Sequence, residues 1–193
     1  MKDTSVRLIL ASQSPQRSEL LESHGYDFEV MVPSEAAETG ARDGESPRDL
    51  VARLGKQKAG DVATRIGEGI VIGCDTVAEC EGQTLGKPID REHAKEMLRL
   101  LRGRKHYVHS GLCLWRRPDD KIAAAVDTTT LVMEPIRDRE LEDYLDGGGW
   151  VGKAGAFGYQ DRTGWLKIVD GSESNVVGLP LELFVRLFRN LVP

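Results

Sequence analysis

The sequence predicts an α/β protein, and two recurring patterns carry that prediction. Short apolar runs of strand length punctuate the chain, and helix-start signals follow them. Leu8-Ile9-Leu10-Ala11 is the first such run, and Ile70-Val71-Ile72-Gly73-Cys74 is the most continuous, as expected of a strand covered on both faces. Helix starts are marked by Ser14-Pro15, by Ser46-Pro47 with Asp49 behind it, and by Asp90.

Taken in order, Leu8–Ala11 leads through Ser12-Gln13-Ser14 into a helix with Ser14 as N-cap, and Gly25 can end it. Phe28–Val32 reads as a strand, and the polar stretch from Pro33 to Gly44 reads as a loop. The helix after Ser46 runs to about Arg65 on the stripe Leu50, Val51, Leu54, Ala59 and Val62. Ile70–Cys74 continues through Asp75-Thr76 into Val77-Ala78, with a hairpin tip at Glu81-Gly82-Gln83. Asp90 opens a helix with Ala94, Met97, Leu98 and Leu101 on one face and Gly103 just past its end. Tyr107–Trp115 and Ile122–Met133 are strands flanking Pro118-Asp119-Asp120, and Thr128-Thr129-Thr130 suits an exposed strand. Asp138–Leu145 is a short helix stopped by three glycines. The small residues of Lys153–Gln160 suggest close approach of backbone to a ligand or to another backbone. Trp165–Val169 is a strand, Gly171–Asn175 a polar turn, and the last helix buries Leu183, Phe184, Leu187, Phe188 and Leu191.

Length and composition bound the function. A chain of 193 residues is one domain, or two small lobes sharing a sheet. A net charge of -5 argues against broad nucleic-acid binding but not against a small polyanion in a local basic pocket. Cys74, Cys80 and Cys113 form no CxxC pair, so neither a disulfide framework nor a zinc knuckle is expected, and a reducing compartment fits. No apolar run reaches transmembrane length, and no signal peptide precedes the first strand, so a cytoplasmic protein is expected.

The residues that carry chemistry are few. Arg17 stands in the first turn of a helix, where a cation opposes the dipole unless an anion sits beside it. Lys58 projects from an apolar stripe, so it either snorkels outward or meets an anion; its charge would there be a stability liability. Asp75 is set between two apolar strand segments, which is costly unless it is paired or bound to a metal. Lys87, in Leu85-Gly86-Lys87-Pro88, lacks the spacing and the Ser or Thr of a phosphate-binding P-loop. No GxGxxG, HExxH or nucleophile elbow is present, and His24, His93, His106 and His109 read as structural or surface residues. Isolated cations with Asp75 and loop acids such as Glu38 fit a phosphate ester held by Arg and Lys, with Mg²⁺ between acids and phosphates.

Six blocks then resemble the Maf family of nucleoside triphosphate pyrophosphatases: ASQSPQRSELL, ESPRDLVARLGKQKA, GCDTV, LGKP, GKAGAFGYQ and SNVVGLPL, in the family's order and spacing. The resemblance implies an α/β fold with an elongated mixed sheet flanked by helices and two lobes around a central nucleotide-binding cleft. It implies hydrolysis of a nucleoside triphosphate to the monophosphate and pyrophosphate, with a divalent cation, Mg²⁺ or Mn²⁺, often in a homodimer. Asp75 resembles the proton acceptor, Ser12, Arg17, Lys58 and Lys87 the phosphate-binding set, and Glu38 an acid that helps hold metal with Asp75. Substrate choice in the family resembles a three-position code, here Gln16, Thr76 and Gln160. Thr76 and Gln160 match the dTTP and UTP type, whereas Gln16 replaces the first arginine of the usual SPRR turn. The alternatives are a 7-methyl-GTP pyrophosphatase and a non-catalytic nucleotide-binding regulator of septum formation.

Overall fold

The computed structural model describes residues 6–159 and 163–192. Its elements are β1 (Leu8–Ala11), α1 (Pro15–Ser23), β2 (Glu29–Val30), a 3₁₀ turn (Glu35–Ala37), α2 (Pro47–Ala63), β3 (Gly69–Cys80) and β4 (Gln83–Leu85). Then come α3 (Arg91–Leu101), β5 (Lys105–Arg117), β6 (Lys121–Met133), α4 (Asp138–Asp146), a second 3₁₀ turn (Ala154–Ala156), β7 (Leu166–Asp170), α5 (Glu173–Val177) and α6 (Leu181–Arg189). The fold is α/β with a mixed sheet in the order β2-β1-β3-β5-β6-β7, β4 pairing with β3. β1 runs parallel to β2 and β3, whereas β4 is antiparallel to β3 and β7 to β6. Two compact units divide the chain: residues up to Asp75, Ser110–Asp127 and from Gly178 onward form the first, and Thr76–His109 with Thr128–Val177 the second.

In the first unit the apolar runs of β1 and β3 alternate between two cores, as period-two strands must. Leu8, Leu10, Ile70 and Ile72 pack with Leu21 of α1 and with Phe184 and Leu187 of α6. Ile9, Ala11 and Val71 face Ala59 and Val62 of α2. The helix α2 lies on the sheet backbone against backbone. A Cβ on Gly55 would fall 2.2 Å from the Gly111 carbonyl oxygen, one on Gly73 2.3 Å from the Gly55 oxygen, and one on Gly111 2.0 Å from the Val51 oxygen. Gly55 in a helix interior weakens the helix by about 1 kcal/mol relative to Ala; the close approach is what it allows. Ser46 caps α2, its hydroxyl accepting from the Asp49 N–H at 3.2 Å. Ser14 stands at the start of α1 but makes no side-chain cap; its hydroxyl donates to Gln16 Oε1 instead. The strand expected at 28–32 is reduced to Glu29–Val30, because Phe28 turns into the core while Val30 and Val32 stay more than a third exposed.

In the second unit, Ala78 and Cys80 of β3, Val108 of β5, and Leu131 and Met133 of β6 make one core. It is completed by Ala94, Met97, Leu98 and Leu101 of α3 and by Leu141 and Leu145 of α4. The amide of Gly155 donates to the Gly86 carbonyl at 3.0 Å, and a Cβ there would lie 3.1 Å from that of Ala78. The small residues of this stretch therefore do allow backbone to approach backbone. Two expectations are corrected. Thr129 is fully buried rather than exposed, its hydroxyl accepting from the Asn175 amide at 2.9 Å and from the Ser172 N–H at 3.1 Å. Residues 173–177 form the helix α5 rather than a turn, with the Ser172 hydroxyl accepting from the Asn175 N–H.

Candidate active site

The topology places a site before any side chain is considered. β1 is flanked by β2 on one side and β3 on the other, so the chain reverses direction across the sheet at its carboxyl end. In open α/β sheets that switch point is where ligands bind. Ala11 pairs with Gly73, so Ser12 follows at the end of β1 where Cys74 and Asp75 continue β3.

Two clusters of the expected residues form in the first unit. In one, the Ser12 hydroxyl is 95% buried and accepts from the Ser14 N–H at 3.1 Å and from Arg17 Nη1 at 3.2 Å. Arg17 Nε donates to the Gly178 carbonyl at 2.8 Å, and the Cys74 thiol donates to the same oxygen at 3.4 Å. The guanidinium is thus fixed at the mouth of α1, whose first turn contains no acid. In the other cluster, Lys58 Nζ donates to Asp75 Oδ1 at 2.7 Å and lies 3.4 Å from Glu38 Oε1. The side chains of Lys58 and Asp75 are only 9% and 15% exposed, whereas Glu38 is 60% exposed. Lys58 therefore does not snorkel: it meets an anion. Its charge is matched by the Asp75 carboxylate.

The glycine seam explains why these two side chains meet. Lys58 is one helical turn past Gly55, and Asp75 is two strand residues past Gly73, on the same face of β3. With Gly55 and Gly73 in backbone contact, a lysine and an aspartate that far along their elements are brought within hydrogen-bond reach. Neither the seam nor the Gly178 carbonyl stood out in the sequence. The one signal was a glycine inside an otherwise good helix.

Glu38 and Asp75 are hard oxygen donors converging on one cationic position, and they fit Mg²⁺ or Mn²⁺. Such an ion is usually held by one or two carboxylates, with phosphates and water completing its shell. Among the described residues no group of three or more His, Cys, Asp or Glu gathers as a metal site. Lys87 lies exposed after β4 and Thr76 half-buried in β3, both in the second unit, while Gln16 is half-buried beside Ser14. Gln160 lies outside the described residues. Of the four histidines, His109 is the one in a polar cluster, with Nε2 3.1 Å from Glu79 and Nδ1 2.9 Å from the Thr128 hydroxyl.

The family model described as Maf-like protein matches residues 7–191. The chain belongs to the Maf family. Among the relatives of this Maf chain is a dTTP/UTP pyrophosphatase of Rhodopirellula baltica, 52% identical over 184 residues, covering 95% of this chain and 81% of the relative. Another, from Salinibacter ruber and named likewise, is 40% identical over 189 residues, covering 97% and 90%. Among solved structures, the Staphylococcus aureus Ham1 protein matches with a TM-score of 0.46 at 15% identity, over 67% of this chain and 72% of its own. No helix among the described residues is long and apolar enough to cross a membrane.

Proposed function

We propose that this protein hydrolyses dTTP or UTP to the monophosphate and pyrophosphate in the cytoplasm. The observation that carries the reading is the Glu38–Lys58–Asp75 cluster beside the carboxyl end of β1, in a chain whose relatives are named dTTP/UTP pyrophosphatases. Asp75 has the geometry of a general base. Its Oδ1 is fixed by Lys58, and among the described residues no donor reaches Oδ2. Oδ2 takes the proton of a water whose oxygen attacks the α-phosphorus. The bond from that phosphorus to the bridging oxygen breaks, and pyrophosphate leaves. Arg17, pre-oriented by Ser12 and the Gly178 carbonyl, and Lys58 stabilise the negative charge of the phosphates. A divalent cation, when bound by Glu38 and Asp75, would supply further charge neutralisation on the phosphates.

Lys87, Thr76 and Gln160 enter this reading through the family resemblance, as does a homodimer, which light scattering of the purified protein would read. A carboxamide at Gln160 would both donate to a uracil or thymine carbonyl and accept from its N3–H. The test is kcat/KM for dTTP, UTP and 7-methyl-GTP with Mg²⁺ or Mn²⁺, the products resolved by chromatography. Faster turnover of the two pyrimidine nucleotides with release of pyrophosphate supports the reading. Preference for 7-methyl-GTP, or release of orthophosphate, overturns it. Gln16→Arg, which restores the second cation of the turn, should sharpen the preference for dTTP.

A further inference from the structure

The helix α2 carries a second stripe, distinct from the one it buries. Arg53, Gln57 and Asp61 recur every four residues and so share one face, and Arg65 follows in the turn just past the helix. This face holds the segment that carries Glu38. On the near side of Glu38, Asp61 accepts from the Ser34 hydroxyl at 2.6 Å and from the Ser34 N–H at 3.0 Å, and Arg65 Nη2 donates to Asp61 at 2.8 Å. On the far side stands Arg53.

All five N–H donors of the Arg53 guanidinium are used, and all on this segment or its own helix. Nε donates to Glu45 Oε1 at 2.6 Å, and Nη2 to Glu45 Oε2 at 2.6 Å and to the Gly40 carbonyl at 2.9 Å. Nη1 donates to the Thr39 hydroxyl at 2.6 Å and to Gln57 Oε1 at 2.9 Å, and the Thr39 hydroxyl donates in turn to that same Gln57 oxygen. The Glu45 carboxylate also accepts from the Arg42 N–H at 3.1 Å. Arg53 and Glu45 side chains are 14% and 9% exposed, so water competes little for the bonds between them, whereas those to Thr39 and Gly40 lie at the exposed surface. The Arg53 guanidinium holds the Glu45 carboxyl down at about 2, and the pair stays ionised through neutral pH.

A guanidinium with every donor committed has none left for a phosphate. We propose that Arg53 is a positioning residue: it clasps Thr39, Gly40 and Glu45 to α2 so that Glu38, one residue before Thr39, presents its carboxylate beside Lys58 and Asp75 to a divalent cation. The inference rests on the reading of Glu38 as a metal-holding acid. An exposed glutamate on an untethered loop would lose side-chain and backbone freedom on binding the ion. A clasped one has already lost most of the backbone share. Lysine cannot replace the fork, since its ammonium is a point donor without the paired geometry that meets both Glu45 oxygens.

The test is Mn²⁺ binding to the full chain without nucleotide, read from the free-ion electron paramagnetic resonance signal. The proteins are the wild type, Glu38→Gln, Arg53→Lys and the double variant. Partners that orient metal ligands typically change affinity by about 10–100-fold. Arg53→Lys should weaken Mn²⁺ roughly tenfold, Glu38→Gln at least as much. In the Glu38→Gln background, Arg53→Lys should add nothing. If Glu38→Gln binds Mn²⁺ as the wild type does, the metal reading falls and the clasp with it. If Glu38→Gln is weakened and Arg53→Lys is not, the clasp alone falls. If the two losses multiply, Arg53 acts on the fold at large and the inference is overturned. Should Arg53→Lys fail to fold, Thr39→Val removes the clasp nearest Glu38 and leaves the Arg53–Glu45 pair intact. The same weakening is expected of it, and wild-type Mn²⁺ binding in that variant refutes the clasp.

Discussion

The pair Lys58–Asp75 bears on folding and, in the proposed mechanism, on chemistry, and a double-mutant cycle separates the two. Lys58→Met keeps the aliphatic stem and removes the ammonium, so no cavity opens, but the Asp75 carboxylate is left 15% exposed without its cation. Breaking a buried pair this way costs about 3–5 kcal/mol; residual solvent access at Asp75 puts the expected loss near 3. Asp75→Asn costs less, about 1.5 kcal/mol, because a carboxamide oxygen still accepts from Nζ and Glu38 remains 3.4 Å away. The double variant strands no charge, so it should lose roughly 2 kcal/mol instead of the 4.5 that simple addition gives, a coupling of about 2.5. Urea unfolding measures this. Trp115 reports the first unit once Trp150 and Trp165 of the second are replaced by Phe. Activity follows a different pattern: Asp75→Asn should lower kcat by about 10²–10⁴-fold, and the double variant, though more stable than Lys58→Met, should not recover turnover. Losses that add to within about 0.5 kcal/mol would show that the two charges do not depend on each other, and the reasoning fails.

Gly111→Ala drives a methyl to 2.0 Å from the Val51 oxygen, so α2 must retreat; a loss of roughly 3 kcal/mol and of most activity is expected, and wild-type urea midpoint and kcat would refute the seam. His106 is buried, and burial lowers its affinity for a proton below the ordinary value of 6.5. The unfolded chain then binds the proton that the folded one rejects, so stability falls as pH drops below about 6.5. His106→Gln should flatten that slope in urea midpoints measured from about pH 8 to pH 5; an unchanged slope assigns it to other groups. All three cysteines are buried, and burial pushes the Cys113 thiol up to about 12. Ellman's reagent should therefore find no reactive thiol in the native protein and three after denaturation; rapid native labelling would contradict the burial.

What was legible in the sequence were features whose physics is local or whose placement is costly. Apolar runs gave β1 and β3, the Ser46 and Asp90 caps gave α2 and α3, and the unease of Lys58 in an apolar stripe and of Asp75 in a strand pointed to charges that needed partners. The sequence could not say that each was the other's partner, because that depends on two glycines 18 residues apart meeting a third at position 111. Thr129 looked like a solvent-facing strand residue because nothing local reveals that Asn175 and Ser172 lie against it. The clasp was invisible for a related reason. Nothing in the sequence singles out Arg53, Gln57 and Asp61, and their partners sit on a segment with little regular structure to predict.

The glycine seam also limits how such a protein can change its chemistry over generations. A helix resting directly on strand backbone has no intervening side chain whose trimming or enlargement would slide the lysine relative to the aspartate. Mutational drift in the surrounding apolar residues leaves that spacing alone, and any residue larger than glycine at Gly55, Gly73 or Gly111 collides with main chain. The ion-pairing end is thus a fixed frame. Side chains outside the frame, such as Gln16, can be exchanged without moving the lysine relative to the aspartate.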